Sequence, residues 1–144
     1  MKVKIINKSN NPIPNYETSL SAGMDLRAYA EEPITLNPGE RKLIKTGLHI
    51  ELPEGYEAQV RPRSGLAFKK GITVLNSPGT IDQDFRGHLK IILANFGIDD
   101  YLIRQGDRIA QLVIINVVRP QIRLVEKLNA SKRGNKGFGS TGIT

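Results

Sequence analysis

Arg61 and Arg63 flank Pro62 and run into Ser64 and Gly65. Guanidiniums, a hydroxyl and a glycine N–H at a helix start capped by Ser64 make an anion site, with phosphate the favoured anion. Residues 132–142, KRGNKGFGSTG, repeat that chemistry with four glycines, three cations and two hydroxyls. Such a segment builds no core, but its backbone N–H groups can converge on a phosphate. Phe138 adds a flat face on which a base can stack. By composition alone the segment also reads as a solvated terminus.

Three further segments hold polar groups where apolar ones surround them. Asp25 stands between Met24 and Leu26. It is partly buried or paired, either with Arg27 or as part of a site. Asp82 and Asp84, two apart, point to one side of an extended segment. One could serve as a base. They lie in Asn76–Gly87, which reads as a wide-tipped hairpin between two strands, its backbone suited to reading a base edge. Gln111 interrupts an apolar strand, and a buried amide needs partners.

The elements that must position these groups are short and β-rich. Strand patterns run over Lys2–Ile6, Leu43–Leu52, Tyr56–Val60, Ile72–Leu75, Leu89–Ala94, Ile109–Val118 and Ile122–Leu128. Turns are expected at Asn37-Pro38-Gly39, Pro53-Glu54-Gly55, Ser77-Pro78-Gly79 and Gln105-Gly106-Asp107. One short helix fits Gly65–Lys70. This spacing of strands argues for an all-β sandwich or barrel. The 144 residues suit one domain, and no apolar run reaches the length of a bilayer span.

The chain has no cysteine, which removes disulfides and thiolate metal sites and fits a cytoplasmic protein. His49 and His88 lack metal-ligand spacing. A net charge of +7 favours anionic partners, either nucleic acid or a nucleotide. The cations are scattered outside the tail and aromatics are few, which argues against a nucleic-acid groove.

Taken in order, five segments resemble the motifs of the trimeric deoxyuridine triphosphatase (dUTPase) family. They are Ala22–Ala28, Arg61–Ala67, Asn76 with Gly79–Gly87, Gly106–Leu112, and Arg133-Gly134 with Gly137–Gly142. The resemblance covers essentially the whole chain. It implies a jelly-roll-like distorted β-barrel over residues 1–128, with 129–144 as a Gly-rich arm that acts as an active-site lid. It also implies a homotrimer with shared active sites, in which one subunit's arm closes over another's site. The implied reaction is hydrolysis of dUTP to dUMP and pyrophosphate with Mg²⁺, limiting uracil in DNA and supplying dUMP for thymidylate synthesis. No nucleic-acid or membrane partner is implied.

Roles follow from the same resemblance. Asp82 would orient and deprotonate the water attacking the α-phosphorus, with Gln111 and Arg133 as its catalytic partners. Asp25 would hold metal-bound water in an outer shell. Arg63, Ser64 and Gly65 would grip the phosphates. Asn76, Gly79, Thr80 and Ile81 would read sugar and uracil, with Phe85 against the deoxyribose. Phe138 would stack on uracil, Gly139 would belong to the substrate-binding set, and Ser140 and Thr141 would bind the γ-phosphate. Many members carry tyrosine where this chain has Phe85, so the ring stays and its hydroxyl is lost. The fold-sharing dCTP deaminase would need a glutamate where this chain has Ile92.

Overall fold

The computed structural model describes residues 1–137. Eleven strands and one helix occur among them: β1 (Lys4–Asn7), β2 (Met24–Arg27), β3 (Ile34–Leu36), β4 (Arg41–Lys45), β5 (Leu48–Glu51), β6 (Tyr56–Arg61), α1 (Ser64–Lys70), β7 (Ile72–Val74), β8 (Gly79–Ile81), β9 (Lys90–Asn95), β10 (Tyr101–Ile103) and β11 (Arg108–Asn116). The strands form four sheets, ordered β2-β11-β6-β8, β4-β9-β7, β1-β5 and β3-β10. Every pairing is antiparallel. The chain therefore crosses between sheets repeatedly, as a distorted jelly roll does.

Alternation of side chains explains the layers. In β6, Ala58 and Val60 turn inward while Gln59 and Arg61 face out. In β9, Ile91 and Leu93 do the same. These residues join Leu26, Leu36, Ile44, Ile72, Leu89, Ile103, Ile109 and Leu112 in one core. Helix α1 buries no residue fully and ends at Gly71, which takes φ +67° and donates its N–H to Ala67 and Leu66 carbonyls. That is a left-handed C-terminal cap. Among the described residues no helix is long and apolar enough to cross a membrane.

Three expectations are corrected. The strand expected over Leu43–Leu52 is two strands, β4 and β5, broken at Thr46–Gly47. The inward period of two runs through the break as Ile44, Thr46, Leu48 and Ile50, and only the polar Thr46 and the glycine after it mark the place. The buried Thr46 donates its hydroxyl to the Leu89 carbonyl at 2.6 Å and accepts the Leu48 N–H at 3.1 Å. Residues 76–87 are not the tip of a simple hairpin. β7 and β9 do pair, but β8 leaves them and joins β6 in the larger sheet. Finally, Ile122–Leu128 forms no strand. Ile122, Leu124 and Leu128 are exposed, and a strand without a partner leaves its backbone groups unpaired.

Close to the third motif, His88 Nε2 accepts the Gly47 N–H at 2.8 Å. Its ring stacks on His49, centroids 5.4 Å apart and planes 22° off parallel. Burial first, then the charges of His49, Lys90, Lys45 and Lys8, hold the His88 pKa below its ordinary 6.5. The unfolded chain thus takes up a proton at a higher pH than the folded one. The stability that His88 contributes is complete above about pH 6.5 and is lost as pH falls through its lowered folded value. His88→Gln keeps an acceptor for Gly47 and removes the titration. Urea unfolding at about pH 7.5 and about pH 5.5 should show a smaller acid-induced loss in the variant than in the wild type.

Candidate active site

Strand β11 carries the centre of the site. Gln111 lies opposite Asp25 of β2 on one side and opposite Arg61 of β6 on the other. The register shifts between Arg108 and Ala110, a bulge that re-aims the side chains near it. Arg108 Nη1 reaches Asp25 Oδ2 at 3.2 Å, while Arg63 Nε reaches Asp25 Oδ1 at 3.0 Å. Arg63 also donates to the Arg108 carbonyl at 3.1 Å. One half-buried carboxylate is thus held by two guanidiniums, one on each oxygen. Glu17 lies 3.9 Å from Arg108 as a looser, exposed counter-ion. Arg27 takes no part, since its Nη1 donates to the Gly106 carbonyl at 2.9 Å.

Gln111 is half-buried and donates Nε2 to the Pro62 carbonyl at 2.9 Å. A carbonyl can only accept, so this bond sets the amide's orientation. The second amide hydrogen and Oε1 remain for other partners. Arg63, rather than Ser64, occupies the cap position of α1, in extended backbone, and no side chain caps the helix. Ser64 is the first helical residue. The Ser64 cap expected from sequence is therefore replaced by first-turn N–H groups with no side-chain acceptor.

The third motif lies apart from this cluster within one chain. β8 pairs with β6 as Val60↔Gly79, Gln59↔Thr80 and Ala58↔Ile81. As a sheet edge, β8 keeps a row of backbone donors and acceptors unpaired. Asp82 leaves the sheet beyond Ala58, whereas Pro62 and Arg63 continue from the other end of β6. Two strands, β11 and β6, stand between β2 and β8, a lateral distance of about 14 Å. Asp82 is exposed and Phe85 is 39% exposed. Asn76 is exposed beside Gly79. The structure thus brings Asp25, Arg63 and Gln111 together, with Ser64 and Gly65 following Arg63 into α1. It does not bring Asp82 to them.

In the tail, Arg133 Nε donates to the Lys136 carbonyl at 3.0 Å. Phe138, Gly139, Ser140 and Thr141 lie outside the described residues. Sequence reading missed Arg108 as the second partner of Asp25. Its position three residues before Gln111 was a signal, but the bulge that aims it was not.

Mg²⁺ prefers oxygen ligands and keeps several waters. No group of three or more His, Cys, Asp or Glu side chains is gathered as a metal site among the described residues. An all-protein cage is therefore not what this site offers. Asp25 fits the outer-shell alternative, because each carboxylate oxygen keeps lone-pair capacity beyond its arginine.

Fold and site together define an all-β protein with a cationic, phosphate-ready cluster at one end of its main sheet. The chain belongs to the dUTPase family, whose model matches residues 9–142. It is 59% identical over 140 residues to the deoxyuridine 5'-triphosphate nucleotidohydrolase of Cytophaga hutchinsonii, covering 97% of this chain and 91% of that one. The Finegoldia magna protein of the same name is 55% identical, with 99% of each covered. Among solved structures, the Staphylococcus bacteriophage 80alpha dUTPase with dUPNHPP superposes with a TM-score of 0.88 at 29% identity, over 99% of both chains. A mutant dUTPase from phage phi11 of S. aureus, which coordinates a structural Mg(II) ion, matches with a TM-score of 0.81 at 25% identity, over 90% of this chain and 100% of that one.

The exposure of Arg63 (28%) and Arg108 (43%) limits what their pairing adds to stability. Asp25→Asn should cost about 1 kcal/mol or less in urea unfolding, the range of solvent-screened pairs. A loss of several kcal/mol would show that the two guanidiniums depend on Asp25 far more than their exposure implies.

Proposed function

We propose that this chain is a dUTP diphosphatase, hydrolysing dUTP to dUMP and pyrophosphate. One observation carries the reading: family membership runs through residues 9–142, and the chain gathers Asp25, Arg63, Arg108 and Gln111 at one point. A triphosphate carries about four negative charges, which must be offset before water can approach phosphorus. Arg63 grips the phosphate chain, helped by the hydroxyl of Ser64 and the N–H of Gly65. Gln111, oriented by Pro62, directs its remaining amide hydrogen to phosphate or to the attacking water. Asn76 and the open edge of β8, Gly79 to Ile81, read sugar and uracil, and the Phe85 ring lies against the deoxyribose.

Asp82 orients the water and takes its proton as the water oxygen bonds to the α-phosphorus. The bond from that phosphorus to the bridging oxygen breaks, and pyrophosphate leaves. A carboxylate is a weak base at neutral pH, so positioning is its larger contribution. When bound, Mg²⁺ supplies charge neutralisation across the phosphates. Asp25 would hold its water shell.

The reading includes a homotrimer with shared sites. Asp82 follows β8, which stands about 14 Å across the sheet from β2 in its own chain, and this separation suits a site completed by a second subunit. Val118, Ile122, Leu124 and Leu128 are exposed along a segment that has no strand partner among the described residues, which suits contact with a neighbour. Residues 129–144 form the lid. Arg133 stabilises charge developing on the phosphates, Phe138 stacks on uracil, and Gly139, Ser140 and Thr141 bind the γ-phosphate. The enzyme works in the cytoplasm, limiting uracil in DNA and supplying dUMP for thymidylate synthesis.

The test is pyrophosphate release with Mg²⁺ and each deoxynucleoside triphosphate in turn. Release from dUTP alone is expected, and ammonia release from dCTP would overturn the reading. Asp82→Asn should slow turnover by about 100-fold or more while dUTP affinity stays within a few-fold. Deleting residues 132–144 should leave the assembly intact by light scattering and nearly abolish turnover.

A further inference from the structure

Six glycines among the described residues take positive φ: Gly39, Gly47, Gly55, Gly71, Gly106 and Gly134. They answer a demand of the backbone. Gly23 and Gly87 do not belong to that group, and their backbones would accept a side chain. What they lack is room. A Cβ on Gly23 would overlap Gln111 Oε1 and come within 3.2 Å of its Cδ. A Cβ on Gly87 would stand 2.6 Å from Phe85 Cζ and 2.8 Å from Cε2. In both cases the obstacle is the far end of a side chain rather than backbone. At Gly97, by contrast, a Cβ would overlap the Lys70 carbonyl, part of the fold itself.

We infer that Gly23 and Gly87 are positioning residues: each holds open the space in which one substrate-facing side chain lies, the Gln111 amide at Gly23 and the Phe85 ring at Gly87. The inference rests on the roles proposed above for Gln111 and Phe85, and adds what holds each in place. Pro62 fixes one end of the Gln111 amide by accepting Nε2–H at 2.9 Å. Gly23 fixes the other end by leaving Oε1 its place. An added methyl pushes the amide off Pro62 or rotates it, moving the donor aimed at phosphate. At Gly87 the same methyl lifts the ring that would exclude a 2′-hydroxyl. Phe85 has no phenol hydroxyl to anchor it, so packing on Gly87 is what aims the ring.

The experiment uses the full chain. Gly23→Ala and Gly87→Ala should fold with Tm within about 5 °C of wild type, since the displaced atoms are side-chain ends. Gly23→Ala should lower kcat by about 10- to 100-fold, as a misplacement of about 1 Å can do. In the Gln111→Ala background the same change should alter kcat by no more than about twofold, because the group it displaces is gone. Independent effects that multiply would overturn the inference. The Gln111 side-chain NH₂ resonances, assigned by their loss in Gln111→Ala, should shift in Gly23→Ala. Unmoved resonances overturn the inference whatever the rates do. Moved resonances with wild-type kcat overturn the role of Gln111 in the reaction, and with it that of Gly23. Gly87→Ala should reduce the preference for dUTP over UTP, and Phe85→Ala should remove any further effect of the glycine change. An unchanged preference in Gly87→Ala overturns the second seat.

Discussion

Strand β11 pairs with two partners at once, β2 through Asp25 and β6 through Arg61, and that double ladder is what the site depends on. The joined residues are far apart in sequence, around 25, 61 and 111. Only the antiparallel register of the central strand sets them in one row. The bulge beside Arg108 then turns a second guanidinium onto Asp25. Without Asp25 between them, Arg63 and Arg108 would repel each other across a few ångströms. Asp25 therefore holds two cations side by side.

The excess positive charge of the molecule is spread widely, and its effect at the site is local. Arg61 is occupied by Gln59, which accepts from its Nε and Nη2 at 3.1 and 2.8 Å. Arg86 is turned back onto the carbonyls of Gln83 and Phe85. Arg63 and Arg108 differ in that their partner is an anion. Net charge raises the encounter rate with anions.

Much of the fold was legible because alternation and turn chemistry are local. The turns at Gly39, Gly55 and Gly106 were expected and carry positive φ. The strands around Ala58, Ile91 and Leu112 follow from inward-facing apolar residues. Choice of partner was not legible. The inward period of two continues through Thr46, so periodicity alone does not announce that β4 and β5 belong to different sheets; the polar Thr46 and the glycine after it are the only local marks. Nor does Gly79 announce that β8 pairs with β6. The apolar alternation of Ile122 and Leu124 is genuine, but a strand is a property of a pair, and the described residues of this chain supply no mate. At the site, residue types pointed to Asp25, Arg63 and Gln111. That Asp25 turns to Arg63 and Arg108 rather than Arg27 depended on register and on a bulge.

The distance between the Asp25 cluster and Asp82 bears on what kind of object the enzyme is. One chain holds part of the proposed chemistry on each flank of its main sheet, and in the proposed trimer these two halves face different neighbours. On that proposal the working unit is the interface, and a single chain takes part in more than one reaction centre. On that proposal a lesion at Arg63 and a lesion at Asp82 of the same chain strike different centres, whereas on neighbouring chains they can fall in one. Assemblies mixed from the two contain some centres with neither defect. Inheritance of such defects would follow the arithmetic of mixing subunits and not that of a self-contained catalyst.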